Sequence, residues 1–340
     1  MTARLSALTI GESVFGTARS VVHMASCVGS VAPVLGVMLA AVCNSASADS
    51  VLTLRSDFIE QFKNRVTIDA EYIVDKAHRH PNPPEKDADM HVAGRSDQIG
   101  LPTVAEIENA AEVPDAMDLV HSVEGTTTPL KLTGVWRIWP EHGGDHQQVQ
   151  FEPIAKITTT NPPHVFEVHP VTKINGVSLV DKLHPINGFE TKNADEAFQA
   201  YERTKATILP ARDHSTVTIT MQMAGFNYTE FLMRLNKREA AVADGEFVFG
   251  TILDKEGELL VHNRRIAFVK GSPPDLVQQS MQPGDCIHLV GIPRMDLALV
   301  SWRVAHSLDR PEVLTWSMPY ELVAVGVYGD SDTIRETCRE

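Results

Sequence analysis

The sequence predicts a mainly β protein with a few helices, an α+β chain of two OB-like Greek-key barrels joined by a helical connection. Two observations support this fold class. Stretches in which apolar and polar side chains alternate, as at residues 66–74, recur along the chain and are typical of half-buried strands. The order of three strands, one helix and two strands also occurs twice, and this is the order of elements in the OB-fold.

The first barrel is predicted from five strands and one helix. A short helix at 57–64, which Asp57 can cap, is expected just before it. The barrel's own helix is expected after the third strand, as in the OB-fold, because Pro114 can begin it and Gly125 can end it. The expected strands are 66–74, 87–93, 103–108, 129–139 and 164–174, with the helix at 114–121.

The connection and the second barrel are predicted from capping residues and further strand patterns. Asn193, with Glu196 three residues later, predicts the start of a helix in the connection. Ser272, followed by Pro273, predicts the helix of the second barrel. The expected strands are 216–223, 227–235, 240–253, 258–269, 286–292 and 297–304, with a helix at 272–281 and an additional edge strand at 321–328.

These elements divide the chain into five parts. We expect the two halves to be separable near residues 235–241, where a charged run lies between two apolar stretches. The parts are a signal peptide at 1–48, an OB-like barrel at 49–176, a helix-containing connection at 177–235, a second OB-like barrel at 236–330 and a disordered tail at 331–340.

The N-terminus has the pattern of a secretory signal peptide. Residues 31–42 are almost wholly apolar, and residues 46–48 form a small-x-small cleavage site. We therefore expect a periplasmic or secreted protein, and no later stretch is apolar enough to cross a membrane. Three alternatives remain open: translation from Met24, lipidation at Cys43, and a buried N-terminal helix of a cytosolic protein.

Charge and cysteine content restrict the partners and the compartment. The formal net charge of the chain is −14 at pH 7, and an acidic surface repels phosphate backbones, so general nucleic-acid binding is not expected. The expected partner is an unknown small ligand or protein. Cys286 and Cys338 remain after removal of the signal peptide and could pair in an oxidising compartment, but Cys286 could equally stay as a buried thiol.

Carboxylate and imidazole side chains occur two apart on the second, third and fifth predicted strands. Side chains two apart in a strand share a face, so these residues could meet on one side of the barrel. Zinc and manganese both accept such a mixture of ligands, and the sequence therefore predicts a divalent-metal site. The candidate metal ligands are Asp87, Asp89, His91, Glu106, Glu167 and His169.

Two other interpretations concern the same strands. The charged residues could simply be the solvated outer faces of barrel strands. Trp136 is expected in the core, whereas Trp139 shares a face with Arg137 and could either stack against a ligand ring or pack under a loop.

Four short patterns together resemble a group of uncharacterised bacterial exported domains that are OB-fold-like. The patterns are a D-x-D-x-H strand at 87–91, an A-E-I strand at 105–107, a T-G-V strand at 133–135 and an E-x-H-P-V strand at 167–171. The resemblance covers about a third of the chain. It implies that the first barrel is one domain, and it implies no activity.

The sequence therefore predicts an exported ligand-binding or metal-binding protein, with no enzyme signature and no identifiable catalytic residue. The motifs of serine hydrolases, zincins, P-loop proteins, dinucleotide-binding proteins and thiol-redox proteins do not occur. One alternative is a metal-dependent hydrolase of phosphoesters, or a nuclease-like enzyme, in which the ion activates water. Another is a PDZ-like peptide-binding module formed by 171–177, 193–204 and 216–221.

Overall fold

The computed structural model describes residues 49–143, 147–306 and 315–329, and their strands form two closed barrels and one open sheet. The predicted signal peptide and the predicted C-terminal tail lie outside the described residues. The strands are β1 (Ser50–Arg55), β2 (Thr67–Ala77), β3 (Met90–Arg95), β4 (Thr103–Ile107), β5 (Leu130–His142), β6 (Gln147–Val149), β7 (His164–Ile174), β8 (Val177–Ser178), β9 (Lys205–Pro210), β10 (Thr216–Met221), β11 (Thr229–Val242), β12 (Gly245–Leu253), β13 (Leu259–Val269), β14 (Cys286–Met295), β15 (Thr315–Ser317) and β16 (Tyr320–Val327).

Within the described ranges, five α-helices accompany these strands. None of the described helices is both long and apolar enough to span a membrane. The helices are α1 (Ser56–Phe62), α2 (Pro114–Val123), α3 (Ala194–Arg203), α4 (Pro273–Gln278) and α5 (Leu297–His306).

The first barrel has the strand order of an OB-fold, which confirms the predicted fold class. Strand β2 pairs with β3, β3 with β4, and β5 with both β2 and β7, all antiparallel. The parallel pair between β4 and β7 closes the barrel. Helix α2 lies between β4 and β5 along the chain, as predicted, with Pro114 in its first turn.

The second barrel repeats this strand order with β11, β12, β13, β14 and β16. Two elements predicted for it differ in the structure, one in its type and one in its place in the barrel. The predicted strand at 297–304 is helix α5, in which Leu297, Val300 and Arg303 are buried at helical spacing and Asp296 caps the backbone N–H of Leu299. The predicted edge strand is β16, which runs parallel to β13 and closes the barrel.

The open sheet was predicted only in part. Its order is β15-β9-β10-β1-β6, and of its strands the sequence clearly predicts only β10. Strand β1 pairs with β10, whose residues lie far away in the sequence, so no local pattern reveals the pair. Because β7 belongs to the first barrel and β10 to this sheet, the segments of the PDZ-like alternative lie in two different sheets.

The boundary predicted after Leu235 falls inside a barrel strand. Strand β11 runs from Thr229 to Val242, and its exposed residues near Lys237 and Glu239 extend along β12 rather than forming a linker. The charged run is therefore the solvent-facing end of a β-ribbon. The described residues form one compact unit, and separate folding of the halves stays a prediction.

The two barrels contact each other through their fourth strands, β5 and β14. Arg137 of β5 donates through Nε to the carbonyl of Pro293, at 2.8 Å. In return Arg294 of β14 donates through Nη1 to the carbonyls of Trp136, at 3.1 Å, and of Val66, at 2.9 Å. Each barrel thus contributes a buried arginine that bonds to the backbone of the other.

Candidate metal centre

One buried row of charged side chains crosses four strands on the outer face of the first barrel. The register pairs His91 with Glu106 on β3 and β4, and Glu167 with Arg137 on β7 and β5. The parallel register of β4 and β7 then brings Glu106 beside His169. Strand β4 is therefore the bridge that lets ligands from the second and fifth barrel strands meet.

These side chains face outward because they alternate with residues of the barrel core. Ala105 and Ile107 of β4, and Val168 of β7, belong to the main apolar core. The outward row is nevertheless closed off from water. Tyr228, which directly precedes β11, covers it, and the ring of Phe189 packs against Tyr228 at 5.5 Å.

His169 is the centre of this group. Its Nδ1 lies 3.0 Å from Glu106, while its Nε2 lies 2.8 Å from the hydroxyl of Tyr228, 3.5 Å from Glu108 and 3.7 Å from Asp89. The hydroxyl of Tyr228 donates to Asp89 at 2.5 Å. Both nitrogens of one imidazole are therefore surrounded by oxygen atoms.

A second part of the group is arranged around Glu167. Its carboxylate forms an ion pair with Arg137 and lies 3.3 Å from Nε2 of His164. Arg137 also donates to the side chain of Asn227, and Nδ1 of His164 lies 2.7 Å from the carbonyl of Pro162. This carboxylate thus has a permanent cation as its partner, which the carboxylates on the other side of His169 do not have.

Burial and charge shift the pKa values of the carboxyl groups in opposite directions. Burial, which outweighs the attraction of His169, raises the pKa of Asp89 well above its usual range and also raises the pKa of Glu108. Burial alone would raise the pKa of Glu167 as well, but the Arg137 guanidinium holds the pKa of that carboxyl well below its usual range. Glu167 is therefore the carboxylate of this group whose charge is balanced by a guanidinium, that of Arg137.

The imidazoles respond to these carboxylates. Burial would lower the pKa of His169, but the surrounding carboxylates, Glu106 first, raise the pKa well above its ordinary value. Burial would lower the pKa of His164, but the carboxylate of Glu167, 3.3 Å from Nε2 of His164, raises that pKa above its ordinary value. The group as a whole requires more positive charge than Arg137 supplies.

Several buried ligand atoms have no hydrogen-bond partner. They are Oδ1 of Asp89, Oε1 of Glu108, Nε2 of His164 and Nδ1 of His169, the last despite its 3.0 Å separation from Glu106. An orphaned polar atom in a dry interior costs free energy, and most buried polar atoms are paired. These atoms belong to a buried group of carboxylates and imidazoles that could hold a metal ion.

Two sets of side chains could hold a metal ion. Asp89, Glu106 and His169 each offer one ligand atom, and these atoms lie within 4.8 Å of one another. Glu106, His164 and Glu167 form a second set of the same kind. The second set is less suitable for a cation because Arg137 already occupies Glu167 with its positive charge.

The structure brings together most of the predicted ligands. Asp89, Glu106, Glu167 and His169 converge, whereas His91 lies at the rim, 3.7 Å from Glu106 and stacked on His78. For Glu106, Glu167 and His169 the convergence follows from the registers of β4, β5 and β7, whereas Asp89 lies just before β3.

Asp87 does not join the group, and its predicted place on a strand was wrong. Strand β3 begins only at Met90, and Ala88 has a φ of 55°, which breaks the alternation between Asp87 and Asp89. The carboxylate of Asp87 instead accepts hydrogen bonds from Asn82 and from the backbone N–H of Asp89.

Three members of the group were not considered as ligands from the sequence: Arg137, His164 and Tyr228. Glu108 lies two residues after Glu106 on the predicted third strand and was expected to share its face as a further carboxylate, as it does. His164 opens the strand that carries Glu167, but it lies three residues away, so strand alternation does not reveal it. Tyr228 comes from outside the barrel and gives no local signal.

Neither tryptophan of β5 offers a free ring face. Trp136 and Trp139 are both fully buried in the main core. The ring of Trp139 packs edge-on against the ring of Tyr201, with the ring centroids 5.6 Å apart. Packing is therefore the role that the structure gives to Trp139.

Comparison of the chain with models of known protein families finds no match, and comparison with curated proteins finds no similar sequence. Any function must therefore be inferred from the chemistry of the buried group itself.

Proposed function

We propose that this chain is an exported metal-binding protein that holds one divalent ion, zinc or manganese, between Asp89, Glu106 and His169. The observation that carries this proposal is the convergence of three ligand atoms within 4.8 Å, in a group where Oδ1 of Asp89, Oε1 of Glu108 and Nδ1 of His169 are buried without hydrogen-bond partners. Two carboxylates and one imidazole are a ligand set that both ions accept.

The charge of the group supports a cation at this position. Four buried carboxylates, those of Asp89, Glu106, Glu108 and Glu167, face one buried guanidinium, that of Arg137. Burying an unpaired carboxylate is costly, so the surplus negative charge requires protons or a metal ion. With His169 neutral and acting as a ligand, the four carboxylates exceed the guanidinium by three charges, and a divalent ion would neutralise two of them.

Burial favours a binding role over the hydrolase alternative. The residues of the proposed site are almost inaccessible, with Asp89 and His169 at 0 % and Glu106 at 5 % exposure. A catalytic metal needs an open ligand position that a substrate can reach. A polar cavity of about 720 Å³ does exist, but Asn193, Glu230 and Lys255 line it, and it does not include the buried group.

Export is supported by the N-terminal pattern and by one cysteine. The apolar run at 31–42 with its cleavage motif is typical of secreted proteins. Cys286 is disulfide-bonded, which suits an oxidising compartment, while the other three cysteines lie outside the described residues.

The proposal is tested by thermal unfolding of the full chain after chelation and after addition of Zn²⁺ or Mn²⁺. A ligand that binds only the folded state at 100 times its dissociation constant stabilises it by about 2.7 kcal/mol, so we expect a clear rise in Tm. Glu106→Gln and His169→Gln should each remove this rise, since each eliminates one ligand with little change in volume.

His288→Gln is the matched control, because His288 also lies against a carboxylate, that of Glu230 at 2.8 Å, but in the second barrel. Its metal-dependent rise in Tm should equal that of the wild type. An unchanged Tm in the wild type with either metal, together with no bound ion by mass spectrometry, would overturn the proposal.

A further inference from the structure

Two of the proposed ligands are fully buried, so an ion can reach them only when side chains around them move. Asp89 and His169 are 0 % exposed, and Tyr228, whose hydroxyl contacts both of them, is 4 % exposed. Protein interiors are close-packed, and a closed interior of this kind does not let an ion pass. The proposed site therefore needs an entrance, and Tyr228 is the side chain that covers it.

Phe189 forms the outer layer of this cover. Its ring packs edge-on against the ring of Tyr228, with the ring centroids 5.5 Å apart and the ring planes at 72°. Phe189 is only partly buried, and it also lines the polar cavity of about 720 Å³. One side chain therefore contacts both the cover of the buried group and the cavity outside it.

Two further segments connect this cavity to the buried group. Glu85 and Lys86 line the cavity, and their loop continues directly to Asp89. Glu230 also lines the cavity, and it lies two residues after Tyr228. The cavity therefore adjoins the group on the side that the tyrosine covers.

The charge of the cavity suits a cation. Its lining contains seven carboxylates and three lysines, so negative charge prevails. A cleft lined mostly by one sign of charge raises the local concentration of the opposite ion and speeds its capture. Carboxylates of the lining such as Glu190 and Glu256 are exposed to water, so the cavity attracts cations without replacing their hydration shell.

The segment that carries Phe189 is built to move without unfolding an element. Within the described chain, residues 183–191 belong to no helix or strand, and Gly188 has a φ of 90° in the turn just before Phe189. The backbone N–H of Phe189 donates to the carbonyl of Ile186 at 3.2 Å, inside the same turn. Loop positions of this kind can absorb the changes in φ and ψ that a hinge motion requires.

We propose that the polar cavity is the entrance of the metal site and that Phe189 is its gate, which swings away from Tyr228 to let the ion pass. This inference rests on the proposed metal site and adds the route by which the ion reaches it. A gate sets the barrier between the free and the bound state and leaves both states as they are. Removing the gate therefore changes loading and release by the same factor, and the dissociation constant stays the same.

Stopped-flow measurements on the full chain test the gate, with whichever of Zn²⁺ and Mn²⁺ binds more tightly. Release is recorded by mixing the loaded protein with an excess of a chelating dye, and loading by the loss of free ion from an indicator. Phe189→Ala should accelerate both rates by about tenfold, since it removes the edge-on ring contact that holds the cover closed. The dissociation constant, from equilibrium competition with the dye, should not change.

Phe226→Ala is the matched control for this variant. Phe226 is also partly buried, and its ring also packs edge-on against a tyrosine, Tyr201, with the ring centroids 6.5 Å apart. Tyr201 is not part of the cover, so both rates of this variant should equal those of the wild type.

Reversing a charge tests the route without altering the cover. Glu190→Lys makes the cavity less negative, so loading should slow at low ionic strength, and the difference from the wild type should vanish at high ionic strength. Glu152→Lys makes the same change at an exposed glutamate outside the lining of this cavity, and loading should then stay close to that of the wild type.

The outcomes separate the gate from the metal site itself. Tight binding with rates that neither Phe189→Ala nor Glu190→Lys changes would overturn the gate and leave the metal site standing. Faster release with unchanged loading in Phe189→Ala would show that the ring stabilises the bound state, which also overturns the gate. Acceleration by His78→Ala instead, which uncovers His91, would place the entrance at that rim. Binding of neither ion would overturn both proposals.

Discussion

The two barrels have the same strand order and an equivalent buried ion pair, but the side chains around that pair are different. In each barrel an arginine on the fourth strand lies opposite a glutamate on the fifth: Arg137 with Glu167, and Arg294 with Glu321. Each arginine also bonds to the backbone of the opposite barrel. The pair is therefore part of the common framework and of the contact between the barrels.

The positions around this pair have opposite chemistry. When the two ion pairs are superposed, the strand registers assign to each residue of the buried group an equivalent position in the second barrel. One of these equivalent residues is a glycine, and the other four belong to an apolar cluster that also contains first-barrel residues. Asp89, His91, Glu106, Glu108 and His169 correspond to Gly245, Phe247, Ala267, Val269 and Val323.

This difference shows that the fold does not require charge at these positions. Replacing buried ionic groups by apolar ones of similar size is often neutral or stabilising, and the second barrel contains the apolar solution. The first barrel instead keeps four carboxylates and an imidazole in a dry place, at a cost in stability. The cation proposed above would account for this arrangement, because its charge would offset the cost of burying the carboxylates.

The largest effect is expected from breaking the shared framework in the second barrel. Arg294→Met removes a fully buried guanidinium that bonds to Glu321 at 2.7 Å and to the carbonyls of Val66 and Trp136. We expect a loss of about 3–5 kcal/mol in the free energy of unfolding, since a buried carboxylate loses its partner. Equilibrium unfolding in urea measures it. Arg55→Met, which breaks an exposed pair with Asp57, should change little, and equal effects would contradict the account.

Copying the second barrel into the first should sharpen the comparison. The variant Asp89→Ala, Glu106→Ala, Glu108→Val and His169→Val gives the first barrel the apolar pattern of the second. We expect all metal-dependent stabilisation to disappear, since the variant removes every ligand of the proposed site. Urea unfolding with and without metal tests this. A variant that still responds to metal would place the ion elsewhere.

The second barrel has its own pH-dependent group beside the shared pair. Burial, assisted by Glu321, raises the pKa of Asp296 to about 6. The folded state therefore holds the proton more tightly than the unfolded state, so the penalty of ionisation grows as the pH rises from about 4 to about 6. Asp296→Asn keeps the oxygen that caps Leu299. Its stability relative to the wild type should rise through this window, by at most roughly 3 kcal/mol.

Urea unfolding of both proteins between pH 4 and pH 8 measures this difference. A difference that stays constant across the window would show that Asp296 titrates normally.

The smallest effect is expected from a histidine–carboxylate pair outside the buried group. His288 and Glu230 lie 2.8 Å apart, but each side chain keeps nearly a third of its surface exposed. His288→Gln should change the free energy of unfolding by less than about 1 kcal/mol. If His288→Gln lowered the free energy of unfolding as much as Arg294→Met does, burial would not be the reason for the different contributions of the two ion pairs.

Strand alternation made the fold and half of the site predictable. It gave the strand order of the first barrel, but it placed the fifth strand of the second barrel at 297–304, which is helix α5. It also placed Glu106, Glu167 and His169 on one face, because in a strand the direction of a side chain depends only on position. It did not anticipate the turn before β3, where Ala88 has a positive φ and the backbone N–H of Asp87 and of Ala88 approach the carbonyl of Pro83.

Two other errors have non-local causes. The apolar run at 297–304 has no clear period of two, and such short runs do not separate a strand from a buried helix. Tyr228 reaches His169 across 59 positions of the sequence and from outside the barrel, so only the packing of the connection reveals it.

The most direct test of the central claim is anomalous diffraction from crystals of the metal-loaded protein. The data are collected on both sides of the absorption edge of the added ion. The account predicts one anomalous peak in the first barrel, within about 2.0–2.3 Å of a nitrogen of His169 and of carboxylate oxygens that include Asp89. No peak should occur at the matching apolar site around Val323. A well-ordered His169 bonded only to Glu106 and Tyr228, with no peak between them and Asp89, would contradict the account.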